Sequence, residues 1–233
     1  MSTKAVLFDL DGTLLDTLDD LADSVNAVLA EAGLPTHPVD SYRQFVGEGA
    51  ALLVTRALPQ HMRTSSDVQK FLALFRAEYD RCWKTKTRPY EGIPELLDGL
   101  TSRGLKIAVL SNKPDDFAKK CVEHFLPSHG FAAVFGQQDG VARKPDPAGA
   151  LVIAQSLHLG PHDILYAGDS SIDMLTASRA GMYPMGVLWG FRSRDELVAH
   201  GAKSLVERPV EILAFIEREP IIAAPEPVVR HAR

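Results

Sequence analysis

The 233 residues of this chain suffice for one domain or two small ones with a substantial apolar core. With 30 acidic against 25 basic side chains the formal charge is -5, which excludes a global positive field for nucleic acid or an anionic membrane, and no apolar run approaches the roughly 20 residues of a membrane helix. Cys82 and Cys121 form no close pair, which argues against a disulfide framework or a CxxC site.

The first element is Ala5-Val6-Leu7-Phe8, four apolar residues that read as a short strand buried on both faces. It begins almost at the first residue, so no signal peptide is expected and the reading is cytoplasmic. Leu18 to Ala32 carries apolar residues at helical spacing and stops at Gly33 and Pro35. Ala50 to Leu58 and Val68 to Cys82 are further helical patterns, with no convincing strand between Val39 and Trp83. Leu14 to Thr17 and the polar stretch Lys84 to Pro89 read as linkers around this block, so residues 16–88 are expected to form a helical cap.

From Pro89 the pattern alternates. Helices are expected over Ile93–Gly104, Asp115–Phe125, Pro147–Leu157 and Ile172–Ala180, interleaved with strands over Lys106–Leu110, Ala133–Gly136, Ile164–Ala167 and Met185–Leu188. An α/β segment runs on to Ile216. This is the pattern of an α/β, doubly wound parallel sheet, Rossmann-like, formed by residues 1–15 and 89–219. Residues 220–233 hold three prolines and little that could enter a core, so a frayed tail is expected.

Ligands of such sheets bind beyond the carboxyl ends of the strands, and four of those ends carry reactive side chains. Asp9 and Asp11, two apart on an extended backbone, project on the same side, where two like charges call for a cation. Gly12 permits a tight turn, and Thr13 with its neighbouring amides suits an anion. Ser111-Asn112-Lys113-Pro114 offers a hydroxyl, an amide and backbone N–H groups near a helix start. Pro145 and Pro147 restrict where Lys144 can point, and a lysine ammonium suits a phosphoryl oxygen. Asp169 ends a strand with Asp173 one helical turn later, and with Asp9 they could supply the oxygen ligands that Mg²⁺ prefers. His158 and His162 have the spacing of a metal pair, but Gly160-Pro161 breaks a helix between them, so they read as surface residues.

These four sites, in this order, resemble the haloacid dehalogenase superfamily of aspartate-nucleophile phosphotransferases, and the helical insertion after the first site is similar to its small α-helical cap. Asp16-Thr17, Phe45-Val46-Gly47-Glu48-Gly49, Ser111-Asn112-Lys113-Pro114 and Lys144-Pro145 are similar to its phosphoglycolate phosphatase branch. The resemblance implies a Mg²⁺-dependent phosphatase of a small phosphorylated metabolite, 2-phosphoglycolate first, acting as a monomer or homodimer. Asp9 would be the nucleophile and Asp11 the acid/base; Thr13, Ser111, Asn112 and Lys144 would hold the phosphate. The metal would lie on Asp9, the Asp11 carbonyl, Asp169 and Asp173, with Gly47-Glu48-Gly49 as a substrate-sensing loop. A carboxylate-bearing substrate would need a further cation, for which Lys113, Arg43, Arg56 and Arg192 are the candidates. Pyrophosphate, a sugar phosphate, a β-phosphoglucomutase-like isomerisation and a non-catalytic scaffold remain as alternatives. A dehalogenase is disfavoured, because a halide leaves without the proton that Asp11 would carry.

Overall fold

The computed structural model describes residues 3–218; residue 219 and the expected tail 220–233 lie outside them. The chain opens with β1 (Ala5–Phe8), whose four side chains are fully buried, followed by β2 (Leu15–Asp16). Helices α1 (Leu18–Glu31), α2 (Tyr42–Phe45), α3 (Ala50–Ala57) and α4 (Ser65–Cys82) come next. The Thr64 hydroxyl accepts the Asp67 N–H and starts α4 earlier than its apolar spacing suggests. After β3 (Arg88–Pro89) the alternation begins: α5 (Ile93–Ser102), β4 (Lys106–Pro114), α6 (Asp115–Phe125), β5 (Ala133–Gln137) and α7 (Ala148–Ser156). It continues through β6 (Ile164–Gly168), α8 (Ser171–Ala180), β7 (Tyr183–Val187), α9 (Arg194–Ala199), β8 (Ser204–Val206) and α10 (Val210–Arg218).

Six strands form one parallel sheet in the order β5-β4-β1-β6-β7-β8, the doubly wound architecture expected. Alternate residues of β1 face opposite sides of it. Val6 and Phe8 join Ile107, Val109, Leu165 and residues of α5, α6 and α10, whereas Ala5 and Leu7 join Ala108, Ile164, Tyr166 and residues of α7 and α8. Both faces are therefore covered, which is why the strands read as unbroken apolar runs. The chain builds outward from β1 through β4 to β5 on one side and then returns to build β6, β7 and β8 on the other, and the crevice at such a switch point opens beyond the strands' carboxyl ends.

Two local features differ from expectation. β4 does not stop at Leu110: it runs on through Ser111, Asn112 and Lys113 to Pro114, with an irregularity before Pro114 pairs with Gln137. Its polar end hides the strand from a hydrophobicity reading. The two linkers are not loose, because Leu15 and Asp16 pair antiparallel with Pro89 and Arg88 in a two-stranded ribbon. Asp20 reinforces it: this buried carboxylate accepts the Lys86 N–H, the Thr87 N–H and the Thr87 hydroxyl. His158 and His162 are both exposed, and Cys82 and Cys121 are free thiols. No described helix is long and apolar enough to cross a membrane.

Candidate active site

The three strands flanking the crevice each deliver a functional side chain at their carboxyl ends. Asp9 follows β1, where its N–H donates to the Ala167 carbonyl of β6 and its Oδ1 accepts the Leu10 N–H. The same Oδ1 lies 2.9 Å from the Lys144 ammonium, and Lys144 Nζ lies 2.7 Å from Asp173 Oδ1. Asp173 also accepts the Ser170 N–H and hydroxyl on Oδ2 and the Tyr166 hydroxyl on Oδ1. It thus closes the start of α8, as a first-turn helix acid does, and also anchors Lys144, a contact that sequence spacing does not suggest.

Asp169 follows β6; its Oδ2 accepts the Phe191 N–H at 2.7 Å, and its Oδ1 faces the Thr13 hydroxyl at 3.4 Å. This fit demands glycine twice. A Cβ on Gly12, whose φ is +85°, or on Gly190 would strike the Asp169 carboxylate. The loop after β7, Trp189-Gly190-Phe191, is therefore part of the site, and Trp189 Nε1 donates to the Thr13 carbonyl. Only the Gly190 turn signal hinted at it in the sequence.

Asp9, Asp169 and Asp173 each offer an oxygen within 4.8 Å of the others, all buried. Burial, then repulsion from Asp173, raises the Asp9 carboxyl well above its ordinary value, and the same causes push Asp169 up to about 7. Burial opposes the Lys144 ammonium, but Asp173 and Asp9 outweigh it and hold its proton on. One lysine among three carboxylates leaves a deficit of positive charge that a hard divalent cation fits. The donor set is specific. Asp9 Oδ2 has no partner among the described residues and Asp169 Oδ1 has only the distant hydroxyl, whereas both Asp173 oxygens are occupied. A Mg²⁺ ion would accordingly be held by Asp9 and Asp169, with Asp173 acting through Lys144.

Asp11 occupies the neighbouring position and binds a cation of its own. Lys113 Nζ lies 3.1 Å from Asp11 Oδ1 and donates to the Tyr79 hydroxyl of α4 at 2.9 Å, linking the inserted helices to the sheet. Burial works against the Lys113 ammonium, yet Asp11 and Tyr79 raise its pKa. The Ser111 hydroxyl accepts the Lys113 N–H and borders the same cavity. Asn112 is employed differently from the phosphate contact expected of it. Its Oδ1 accepts the Lys144 N–H and its Nδ2 donates to the carbonyls of Lys144 and Gly47, so it fixes the Lys144 backbone and the loop of the inserted helices. Thr13 is fully buried beside Asp169 rather than facing the cavity.

The cavity between sheet and inserted helices is floored by Asp9, Asp11 and Ser111 and walled by Leu21, Val46, Leu53, Phe75 and Phe117. Gly47 and Gly49 line it; Glu48 does not, its carboxylate being paired with Arg56. Each cation proposed for a substrate carboxylate makes at least one polar contact, although the buried Nη1 of Arg192 has no partner among the described residues. Lys113 holds Asp11, Arg56 holds Glu48, Arg43 binds Asp40 and the Gly190 carbonyl, and Arg192 binds Glu196 and the Val46 carbonyl. Arg76 of α4, which nothing in the sequence singles out, lines the cavity instead.

Comparison with known proteins gives a consistent lineage. The profile of the haloacid dehalogenase-like hydrolases matches residues 6–187. A phosphoglycolate phosphatase of Psychrobacter arcticus is 34% identical over 203 residues, covering 84% of this chain and 88% of the relative. An N-acetylmuramic acid 6-phosphate phosphatase of Pseudomonas aeruginosa is 34% identical over 223 residues, covering 94% of this chain and 96% of the relative. A crystal structure from Lactobacillus delbrueckii subsp. bulgaricus superposes with a TM-score of 0.87 at 32% identity, covering 93% of this chain and 99% of that one.

Proposed function

From the premise that the chain belongs to the haloacid dehalogenase-like hydrolases, we propose that it is a Mg²⁺-dependent phosphatase that cleaves a small phosphomonoester, 2-phosphoglycolate first, through an aspartyl-phosphate on Asp9. The observation that carries the reading is the buried Asp9 at the end of β1, held through Oδ1 by Lys144 and Leu10 and carrying an unpartnered Oδ2 beside Asp169.

Asp9 attacks phosphorus as the ester P–O bond breaks, and Asp11 at the cavity floor gives its proton to the departing alkoxide. Water then attacks phosphorus in the second displacement; Asp11 takes its proton and Asp9 is released as the carboxylate. Lys144, fixed by Asp173 and by Asn112 on its backbone, orients Asp9 and places positive charge where the phosphoryl oxygens gather it. Ser111 and nearby N–H groups steady those oxygens, while Lys113 and Tyr79 orient Asp11. Bound Mg²⁺ would supply Lewis-acid neutralisation that lets a carboxylate approach a phosphate dianion. The inserted helices act as the cap that excludes water, hinged at the β2–β3 ribbon.

Asp9→Asn is expected to abolish turnover while leaving thermal unfolding at or above the wild-type midpoint, since burial, then Asp173 and Asp169, already disfavour a charge at this position. Appreciable activity in a homogeneous preparation of the Asp9→Asn variant would remove the nucleophile assignment. The substrate is tested by comparing kcat/KM, with Mg²⁺, for 2-phosphoglycolate, N-acetylmuramic acid 6-phosphate, pyrophosphate and β-glucose 1-phosphate. A lead of about 100-fold, roughly 3 kcal/mol, for 2-phosphoglycolate supports the first choice. A lead for the muramic acid ester instead favours a second reading, motivated by the long Pseudomonas aeruginosa match. Glucose 6-phosphate formed from β-glucose 1-phosphate would indicate a mutase.

A further inference from the structure

Of the two cationic side chains that line the cavity among the described residues, Lys113 is paired with Asp11 and Arg76 has no partner. Arg76 of α4 lines the cavity that holds Asp9 and Asp11, is exposed, and makes no ion pair or side-chain hydrogen bond among the described residues. Its neighbours on the helix do not neutralise it: Asp80, one turn on, is paired with Lys120, and Glu78 with Arg81. Arg143 lies against Gly49 but does not line the cavity. Three residues after Arg76, Tyr79 hydrogen-bonds Lys113, the partner of Asp11.

We propose that Arg76 is the specificity-determining residue that binds a carboxylate on the substrate, so that the substrate class is a phosphomonoester bearing a carboxylate. This rests on the phosphatase reading. With the phosphoryl group at Asp9, the rest of a small substrate extends toward the cap. There Leu53 and Phe75 offer no polar partner, and Lys113 is already committed. A guanidinium presents two parallel N–H donors that match a carboxylate, and as an unpaired group it gives up no existing interaction to do so. The two enzymes named among the relatives act on substrates with this feature in common, since phosphoglycolate and N-acetylmuramic acid 6-phosphate both carry a carboxylate.

The test compares kcat/KM for these two esters with that for 4-nitrophenyl phosphate, which has no carboxylate, in wild type, Arg76→Lys, Arg76→Ala and Arg76→Glu. The ratio for the preferred carboxylated ester is expected to fall at least tenfold in Arg76→Ala, chiefly through KM, to fall further in Arg76→Glu and to be partly kept in Arg76→Lys. Inhibition of the aryl phosphatase activity by glycolate should weaken in the same order. A ratio and a glycolate inhibition that stay within twofold of wild type in Arg76→Ala overturn the proposal. So does a wild type that cleaves the aryl ester and favours neither carboxylated one, and that result leaves the phosphatase reading standing. A wild type that cleaves none of the three overturns the phosphatase reading itself and the proposal with it. Because Arg76 is exposed and bonded to nothing described, the variants are expected to fold, and circular dichroism checks this directly.

Discussion

Asn112 offers a sharp test of how the site is held together. The side chain accepts the Lys144 N–H at 2.9 Å and donates to the Lys144 carbonyl at 3.1 Å and the Gly47 carbonyl at 3.0 Å. Lys144 is buried, so Asn112→Ala leaves an N–H and a carbonyl without partners where water has poor access, whereas half-buried Gly47 can turn to solvent. Orphaned buried groups cost about 1–3 kcal/mol each, which gives an expected loss of about 2–6 kcal/mol for the two. For a domain of this size, at about 2–4 °C per kcal/mol, the unfolding midpoint should drop by roughly 4–24 °C. The Lys144 ammonium would also lose its fixed backbone, so kcat should fall together with stability. Asn112→Asp should do no better, since its second oxygen would face the carbonyls of Lys144 and Gly47. Thermal unfolding without substrate, followed by steady-state kinetics, decides the matter. An Asn112→Ala midpoint within about 2 °C of wild type, coupled to a raised KM alone, would refute the positioning argument and return Asn112 to direct contact with the phosphate.

Two further outcomes follow from the same structure. Asp20→Ala removes a buried acceptor of the Lys86 and Thr87 N–H groups and should cost about 2–4 kcal/mol; a calorimetric midpoint unchanged from wild type would show that the β2–β3 ribbon does not depend on it. The Asp169 carboxyl is raised from 3.8 to about 7, so without metal the folded chain holds a proton that the unfolded chain has already released. Its contribution to stability is therefore lost progressively as pH rises from about 4 toward about 7. A divalent cation binds the ionised form, so the rise in unfolding midpoint on adding Mg²⁺ should be larger near pH 8 than near pH 6. Equal rises at the two values would mean that Asp169 carries no proton in the metal-free fold.

What was legible in the sequence is what depends on neighbours a few residues apart. The apolar run of β1, the helical spacing of α1 and the stop at Gly181 announce themselves locally, and a strand-helix alternation over residues 93–187 dictates a parallel sheet covered on both faces. Asp9, Asp11 and Asp169 stood out because charged side chains at the ends of apolar strands need a reason to be there, and Lys144 because Pro145 and Pro147 restrict its backbone. The tertiary structure alone decided which of these groups pair. Thr13 and Asp169 meet across 156 residues of chain, Lys113 and Asp11 across 102, and Asn112 and Lys144 across 32. Such partnerships depend on strand order and on how the inserted helices lie over the sheet, and local periodicity carries information about neither. For that reason the ribbon at the linkers, the continuation of β4 through Ser111 to Pro114 and the occupation of Arg43, Arg56, Lys113 and Arg192 were all hidden in the sequence. The same holds for Arg76: a lysine or arginine looks alike in sequence whether its charge is spent or free, and only the positions of the surrounding carboxylates distinguish the two.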